Sequence, residues 1–457
     1  MFKTHLDSNG YILYWTPHEL HELNTSKILG MDLDWTIIKP IKGKIFPIDE
    51  NDWEFINNKI SQIKMYISRG YKFVIFTNQL GLLTGKRGLI TIEQFKTRWD
   101  DIYNTFKTMY NIESVYLIVS LHDDFYRKSA TAMWEFVETH LNNNIKVNRN
   151  SSLYVGDMAG RKGDYAYTDL MFSMNLGVPF MVPEVFYGDA TGKLASNQTP
   201  KLIKDLEKDH KIFNARKYLE DDKEITKNHK NNYETIKMIK KYLENNENDK
   251  KMDNKNGKIL ILYVGSPASG KSHFLKNYLP DFKRTILYMS QDTFNGTPAK
   301  FIKTISQYMD MNTDIGNIIV IDNTNGTIKT REKYISLAHN KGYKVMVIYF
   351  DTPKEICMHL NALRTKINNI YTELNTIPSS IKDDKDDKGD NKKDGKDDND
   401  DSNSNVPAVA IHTYWKKLEI PDKKENMNEL FTIYFEPIFP KTKTNYDITK
   451  ELFSLFL

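Results

Sequence analysis

The apolar positions of this chain fall into two series of short, nearly unbroken runs. Between Ile28 and Tyr187 the runs KILGMDLD, YKFVIFTN, VYLIVSLH and SLYVGD are separated by amphipathic stretches of helix length. Strands that are apolar on both faces and alternate with helices predict βαβ units and a buried parallel sheet. The pattern lapses from Lys201 to Lys258, where Lys, Glu, Asn and Asp dominate, and this predicts one or two surface helices and a linker. It resumes with KILILYVGS, TILYMSQD, NIIVIDNTN and YKVMVIYFD, a second α/β domain. The tract from Asp383 to Asn405 holds only Asp, Lys, Gly, Asn and Ser, which bury too little apolar area to offset the entropy of ordering. Apolar pattern returns from Val406 to Phe439, so the tract reads as a disordered insertion. The expected architecture is α/β with two domains, 1–200 and 257–457, a charged helical linker over 201–256, and the insertion over 383–405.

Composition narrows the class. No run approaches the roughly 18 uncharged apolar residues of a membrane span, and the N-terminus MFKTHLDSNGYILYW has acid and polar residues where a signal peptide is apolar. A protein that is neither secreted nor membrane-embedded is expected. The single cysteine, Cys357, has no intramolecular partner, which fits a reducing compartment, and its KEICMHL context suits a buried small hydrophobe. The formal charge of +4 conceals an asymmetry: Lys382 to Asp401 holds six Lys and ten Asp, leaving +8 on the rest. A basic body leans toward a polyanionic partner such as nucleic acid.

The first series of strands carries chemistry at its ends. The run ending at Met31 continues into Asp32, Leu33, Asp34, Trp35 and Thr36, a DxDxT pattern with two carboxylates on one side of the carboxyl end, where open α/β sheets bind ligands. One carboxylate can attack phosphorus and the second can protonate the leaving oxygen. The next strand ends in Thr77 and Asn78, a hydroxyl and an amide suited to phosphate oxygens, and Arg127 with Lys128 follows the third, suited to neutralising a transferred phosphoryl group. After the fourth come Asp157, Asp164 and Asp169, carboxylates of the kind that ligate Mg²⁺.

In the second series, the strand ending at Val264 leads into Gly265, Ser266, Pro267, Ala268, Ser269, Gly270, Lys271 and Ser272 and then a helix-like HFLKNYL. This is GxxxxGK[ST] between a strand and a helix, whose amides wrap phosphates, whose lysine reaches the β and γ oxygens, and whose serine can hold Mg²⁺. Asp292 ends TILYMSQD and is placed like a base for a substrate hydroxyl, or as a helix cap; Asp322 ends IIVID as a metal- or phosphate-positioning acid. Arg331 and Arg364 are candidate clamps on ATP phosphates.

The order DxDxT, Thr77, Lys128, Asp157 resembles the haloacid dehalogenase superfamily of phosphatases. The resemblance implies Asp32 as nucleophile, Asp34 as general acid/base, Thr77 as phosphate-binding hydroxyl, Lys128 as stabilising lysine and Asp157 as magnesium ligand. Followed by a P-loop kinase domain, and with GMDLDWTII, KIFPIDENDW, GYKFVIFTNQLGL, FYRKSATAMW, YVGDMAGR, GSPASGKSHF, SQDTF and IDNTN, the chain is similar to the bifunctional polynucleotide kinase 3′-phosphatases. Implied are removal of 3′-phosphates and ATP-dependent phosphorylation of 5′-hydroxyls at nucleic-acid ends, DNA foremost, with Asp292 as the base. The expected metal ligands are Asp32, Asp34 and Asp157 in one site and Ser272 in the other, and the expected cofactors are Mg²⁺ and ATP. Trp35, Ser129, Gln291 and Ala362 depart from the family's usual glycine, proline and two arginines. The stretch before Asp32 is too short for a forkhead-associated domain, so docking to phosphopeptide scaffolds is not expected. A nuclear location follows from the family alone. RNA end healing by the same chemistry, or a nucleic-acid scaffold with one working site, are the alternatives.

Overall fold

The structure, a computed structural model, describes residues 1–17, 25–84, 90–143, 145–188, 213–249, 257–279, 286–311, 317–376, 406–439 and 448–457. The chain divides into two compact units, one of Met1–Arg216, Leu363–Asp387 and Thr442–Leu457, the other of Lys217–Ala362 and Lys388–Lys441. Each unit thus gathers separated stretches of chain, unlike the contiguous division expected from sequence. The expected insertion at 383–405 lies outside the described residues, as do 201–212 and 250–256 of the expected linker.

The first unit is built on strands β1 (Phe2–Asp7), β2 (Gly10–Trp15), β3 (Ile28–Met31), β6 (Lys72–Asn78), β7 (Val115–Ser120), β8 (Leu153–Val155) and β9 (Phe180–Met181), with β4 (Ile38–Lys39) and β5 (Glu54–Phe55) paired separately. The sheet order is β1-β2-β7-β6-β3-β8-β9. From β7 to β9 all pairs are parallel, as unbroken apolar strands require, and every residue of β3, β7 and β8 is buried. Register sets the site: Met31 pairs with Ile75 on one side and Val155 on the other, so the residues that follow these three strands emerge together.

The antiparallel hairpin β1–β2, which the βαβ reading did not include, extends the sheet beyond β7. Its turn needs a glycine, because Gly10 has φ +121° and a Cβ there would lie 2.1 Å from a carboxylate oxygen of Asp124. That buried carboxylate accepts from the amides of Tyr11 and Tyr126 at 2.9 Å each, fastening the hairpin to the segment that precedes Lys128.

The second unit has an all-parallel sheet of β10 (Ile259–Val264), β11 (Ile286–Ser290), β12 (Ile318–Asp322), β13 (Lys344–Asp351) and β14 (Glu429–Tyr434) in the order β11-β12-β10-β13-β14. Helix Asp222–Asp249, which its charge made a linker, packs on this sheet through Ile239 and Leu243, both fully buried. Its buried Asn232 acts as a substitute strand: the side-chain amide donates to the Tyr434 carbonyl and accepts from the Tyr434 amide, both at 2.9 Å. The free edge of β14 is satisfied there by one side chain, where an edge otherwise presents unpaired groups.

Removing that side chain with Asn232→Ala leaves the two Tyr434 backbone groups without their partner. The second unit should lose about 1–3 kcal/mol of stability, read as a lower urea midpoint at unchanged slope; an unaltered midpoint would show that water replaces the amide without loss.

Candidate active sites

In the first unit, Asp32 leaves β3 with its amide bonded to the Val155 carbonyl at 2.9 Å, which ties the segment to β8. The Lys128 ammonium is buried among four oxygens: Asp32 Oδ1 at 2.5 Å, Asp169 Oδ1 at 2.8 Å, the Phe76 carbonyl at 2.9 Å and the Tyr154 hydroxyl at 3.0 Å. The Tyr154 hydroxyl donates to Asp169 at 2.9 Å. Asp32, Asp157 and Asp169 form a carboxylate cluster whose nearest oxygens lie within 4.8 Å of one another.

These charges are strongly coupled. Burial opposes the Lys128 charge, but Asp169 and Asp32 outweigh it and hold the ammonium above its ordinary range. Burial pushes Asp32 up, with Lys128 opposing and Asp169 and Asp157 adding to the rise. Burial, then Asp169, pushes Asp157 up to about 7. Carboxylates forced together in this way, all oxygen donors, suit a divalent cation. Asp32 and Asp157 fit that role, whereas Asp169 is already engaged by Lys128, Tyr154 and, through Oδ2, the Met158 amide at 3.0 Å.

In the second unit, β10 runs into a loop whose Gly265 amide bonds the Thr324 carbonyl at 3.1 Å and whose Gly270, at φ 90°, starts helix Lys271–Tyr278. A Cβ on Gly265 would sit 2.6 Å from Ser269 Oγ, so the loop's tight wrap depends on glycine there. Lys271 is folded back onto the Gly265 and Ser266 carbonyls at 3.1 and 2.7 Å. Ser269 Oγ is buried with no hydrogen-bond partner, a donor left over in a cradle of backbone amides, and these are groups that fit a phosphate. Ser272 Oγ donates to Asp322 Oδ2 at 2.6 Å, and the Tyr288 hydroxyl donates to the same oxygen. Asp322 stands beside Tyr263 in register, so β12 delivers its carboxylate to the loop that β10 begins.

The structure brings Asp32, Lys128 and Asp157 together as the sequence motifs imply, and joins Gly265, Ser266, Pro267, Ala268, Ser269, Gly270, Lys271 and Ser272 to Asp322. Thr77 is buried at the end of β6, its hydroxyl accepting from Gln79 at 2.9 Å. Arg127 lies beside Asp123 at 3.9 Å, with Nη1 buried and lacking a hydrogen-bond partner. Asp292 sits exposed in the turn after β11 and caps no helix, since the following helix begins at Pro298 with Thr297 at its N-cap.

Three expectations change. Asp34 is not in the carboxylate cluster; its Oδ2 accepts from Gln79 at 2.6 Å and Oδ1 faces Arg98 at 3.7 Å. Asn78 spends both ends of its amide on the Lys128 backbone, at 3.1 and 3.0 Å, so it shapes the lysine's loop rather than meeting phosphate oxygens. Arg331 is fully buried and consumed by a two-pronged pair with Glu425 at 2.7 Å and the Asn325 carbonyl at 3.0 Å, which leaves nothing for ATP. Arg364 lies in helix Lys354–Thr376, whose residues from Leu363 onward are grouped with the first unit. Residues that strand-end motifs do not reveal are Gln79, Arg98, Tyr154 and Tyr288. Arg98 left one trace, a charge beside the apolar stripe Phe95, Trp99, Ile102 and Phe106 of helix Ile92–Tyr110.

A carboxylate and a lysine at the end of one parallel sheet, and a phosphate loop with its acid at the end of another, define a chain that pairs a phosphatase-type with a kinase-type unit. Residues 27–187 match the family of polynucleotide kinase 3 phosphatases and residues 260–377 match the family of an AAA domain. Over most of its length the chain is similar to bifunctional polynucleotide phosphatase/kinases. It is 25% identical over 434 residues to one of Acanthamoeba polyphaga mimivirus, covering 90% of this chain and 85% of that one. It is 26% identical over 343 residues to that of Schizosaccharomyces pombe, covering 74% and 71%. It also matches the polynucleotide 3′-phosphatase of Saccharomyces cerevisiae at 29% identity over 218 residues, covering 37% of this chain and 90% of that one.

Lys128→Met removes the one cation that, among the described residues, Asp32 and Asp169 both contact. Leaving buried carboxylates unpaired should cost about 3–5 kcal/mol of stability, measured by urea unfolding of the purified chain, and a loss below the error of that measurement would mean the carboxylates simply take up protons.

Proposed function

We propose that this chain heals broken nucleic-acid ends, removing 3′-phosphates in the first unit and phosphorylating 5′-hydroxyls with ATP in the second. The observation that carries this reading is the Asp32–Lys128 pair and the Ser272–Asp322 phosphate loop in a single chain that aligns with two bifunctional polynucleotide phosphatase/kinases, across 90% and 74% of its length.

In the phosphatase reaction an Asp32 oxygen attacks phosphorus, the bond from phosphorus to the 3′-oxygen breaks, and that oxygen takes a proton from Asp34. Water then attacks the phosphoaspartate, gives a proton to Asp34 and releases phosphate, restoring the Asp32 carboxylate. Lys128 holds the attacking oxygen in place and, with Thr77 and Arg127, balances charge on the phosphoryl oxygens. Mg²⁺, held by Asp32 and Asp157, supplies further neutralisation when bound. In the kinase reaction Asp292 takes the proton of the 5′-hydroxyl as its oxygen attacks the γ-phosphorus, and the bond to ADP breaks. The loop amides and Lys271 hold the ATP phosphates, and Ser272 with Asp322 holds its Mg²⁺. DNA ends are the favoured substrate, and matched RNA ends distinguish the two polymers.

On a nicked duplex carrying a 3′-phosphate and a 5′-hydroxyl, Asp32→Asn should abolish phosphate release and leave 5′ phosphorylation. Asp34→Asn should slow phosphate release by roughly 10²- to 10⁴-fold, as for a lost general acid. Lys271→Ala should do the reverse of Asp32→Asn. Loss of both activities from either variant in a folded protein would refute two separate sites.

Magnesium should raise the melting temperature of metal-free protein, because it offsets repulsion among the buried carboxylates, and Asp157→Asn should reduce that rise. An equal rise in the variant would place the stabilising ion elsewhere.

A further inference from the structure

Arg98 is 2% exposed on helix Ile92–Tyr110, and its Nε and Nη2 are buried with no hydrogen-bond partner. A buried guanidinium with two idle nitrogens is expensive, and a leucine or methionine would fill the same space beside Phe95 and Trp99 without that cost. Its nearby anions are Asp34 and Asp52, and burial is the main influence that lowers its pKa. Asp52 is itself occupied, since its two oxygens accept the amides of Ile41 and Lys42 at 2.9 Å and of Ile48 at 3.1 Å. Asp34 is therefore the carboxylate left for Arg98, at 3.7 Å from Nη1.

The other oxygen of Asp34 has its own holder. Gln79 Nε2 donates to Asp34 Oδ2 at 2.6 Å and to Thr77 Oγ1 at 2.9 Å, linking the carboxylate to the end of β6. Each oxygen of Asp34 is thus faced by a different side chain, one from helix Ile92–Tyr110 and one from the loop after β6, while the Asp34 side chain as a whole stays 31% exposed. A carboxyl that must deliver a proton to one oxygen and collect one from water needs a fixed direction, and an otherwise mobile, part-exposed side chain does not have one.

We propose that Arg98 and Gln79 are positioning residues that hold Asp34 in the orientation from which it passes its proton. This rests on the phosphatase reading above and goes beyond it, because neither residue touches the phosphoryl group in that scheme. The consequence is selective: a misaligned proton donor matters when the leaving group is a sugar alkoxide and hardly matters when it is a phenolate, which departs without a proton.

The test uses the full chain with Arg98→Met, Arg98→Lys, Gln79→Leu and Asp34→Asn, on a 3′-phosphorylated oligonucleotide and on p-nitrophenyl phosphate. ATP-dependent 5′ phosphorylation by the same samples and the melting temperature report folding. Arg98→Met should lower kcat on the oligonucleotide by roughly 10- to 100-fold, a fraction of what a missing general acid costs, with KM nearly unchanged. The pre-steady-state burst of nitrophenolate should keep its wild-type rate, and Arg98→Lys should recover most of the lost kcat. An equal loss in the oligonucleotide kcat and in the nitrophenolate burst rate, a change in KM alone, or no recovery with lysine would overturn the proposal. If Arg98→Met does not fold, Gln79→Leu decides: the same selectivity supports the proposal and equal loss in those two rates rejects it. An inactive wild type, or an Asp34→Asn protein as active as wild type, would instead remove the phosphatase reading itself.

Discussion

A parallel sheet gathers carboxylates faster than it can neutralise them, and the first unit depends on how that excess is resolved. The adjacency of β3 and β8 sets Asp32 beside Asp157, and helix Thr168–Leu176 adds Asp169, so that the three carboxylates lie within 4.8 Å where water is largely excluded. Like charges in such a place repel strongly, and only a cation in their midst makes the arrangement tolerable. Lys128 is that cation for two of the three. Its location in turn governs much else: Asn78 clamps its backbone from β6, the Phe76 carbonyl accepts from its ammonium, and Tyr154 fills the gap between it and Asp169. Asp157, outside its direct reach, keeps the unresolved part of the charge.

The second unit solves the opposite problem with the same architecture. Its phosphate loop is an array of donors at a helix N-terminus, and the groups of the loop bond to one another and to Asp322. Lys271 turns back on two loop carbonyls, and Ser272 with Tyr288 converges on Asp322. Both sites are therefore networks of charged and polar groups held by their own hydrogen bonds. Both arise at carboxyl ends of central strands, β3 and β10, each with a parallel neighbour on either side.

Residues whose role depends on position along a strand were legible in the sequence. Asp32, Asp157, Asp322 and the loop from Gly265 to Ser272 follow apolar runs, and a run's end predicts the sheet's working edge. What stayed hidden depends on partners distant in sequence. Arg331 looked like an exposed clamp because nothing near it announces Glu425, and Asn78 looked like a phosphate ligand because its real contact, the Lys128 backbone, lies 50 residues away. Helix Asp222–Asp249 read as a linker because its composition is charged; its few apolar positions, Ile239 and Leu243, suffice to bury one side. Asp34 shows the same limit at close range, since alternation places it near Asp32 but says nothing of Gln79 and Arg98.

The N-terminal hairpin looks peripheral, two strands beyond the parallel sheet, yet it is mechanically continuous with the phosphatase loop. Asp124 grips the backbone at Tyr11 with one oxygen and at Tyr126 with the other, the Phe125 amide reaches the Asn9 carbonyl at 3.0 Å, and Lys128 follows four residues after Asp124. A bulky fusion that pries the turn at Gly10 open, or a trimmed version that discards the hairpin, would release one anchor of the segment that aims the lysine. For anyone reshaping this chain, the hairpin belongs to the foundation of the loop that carries Lys128, and its turn is a poor place for a tag.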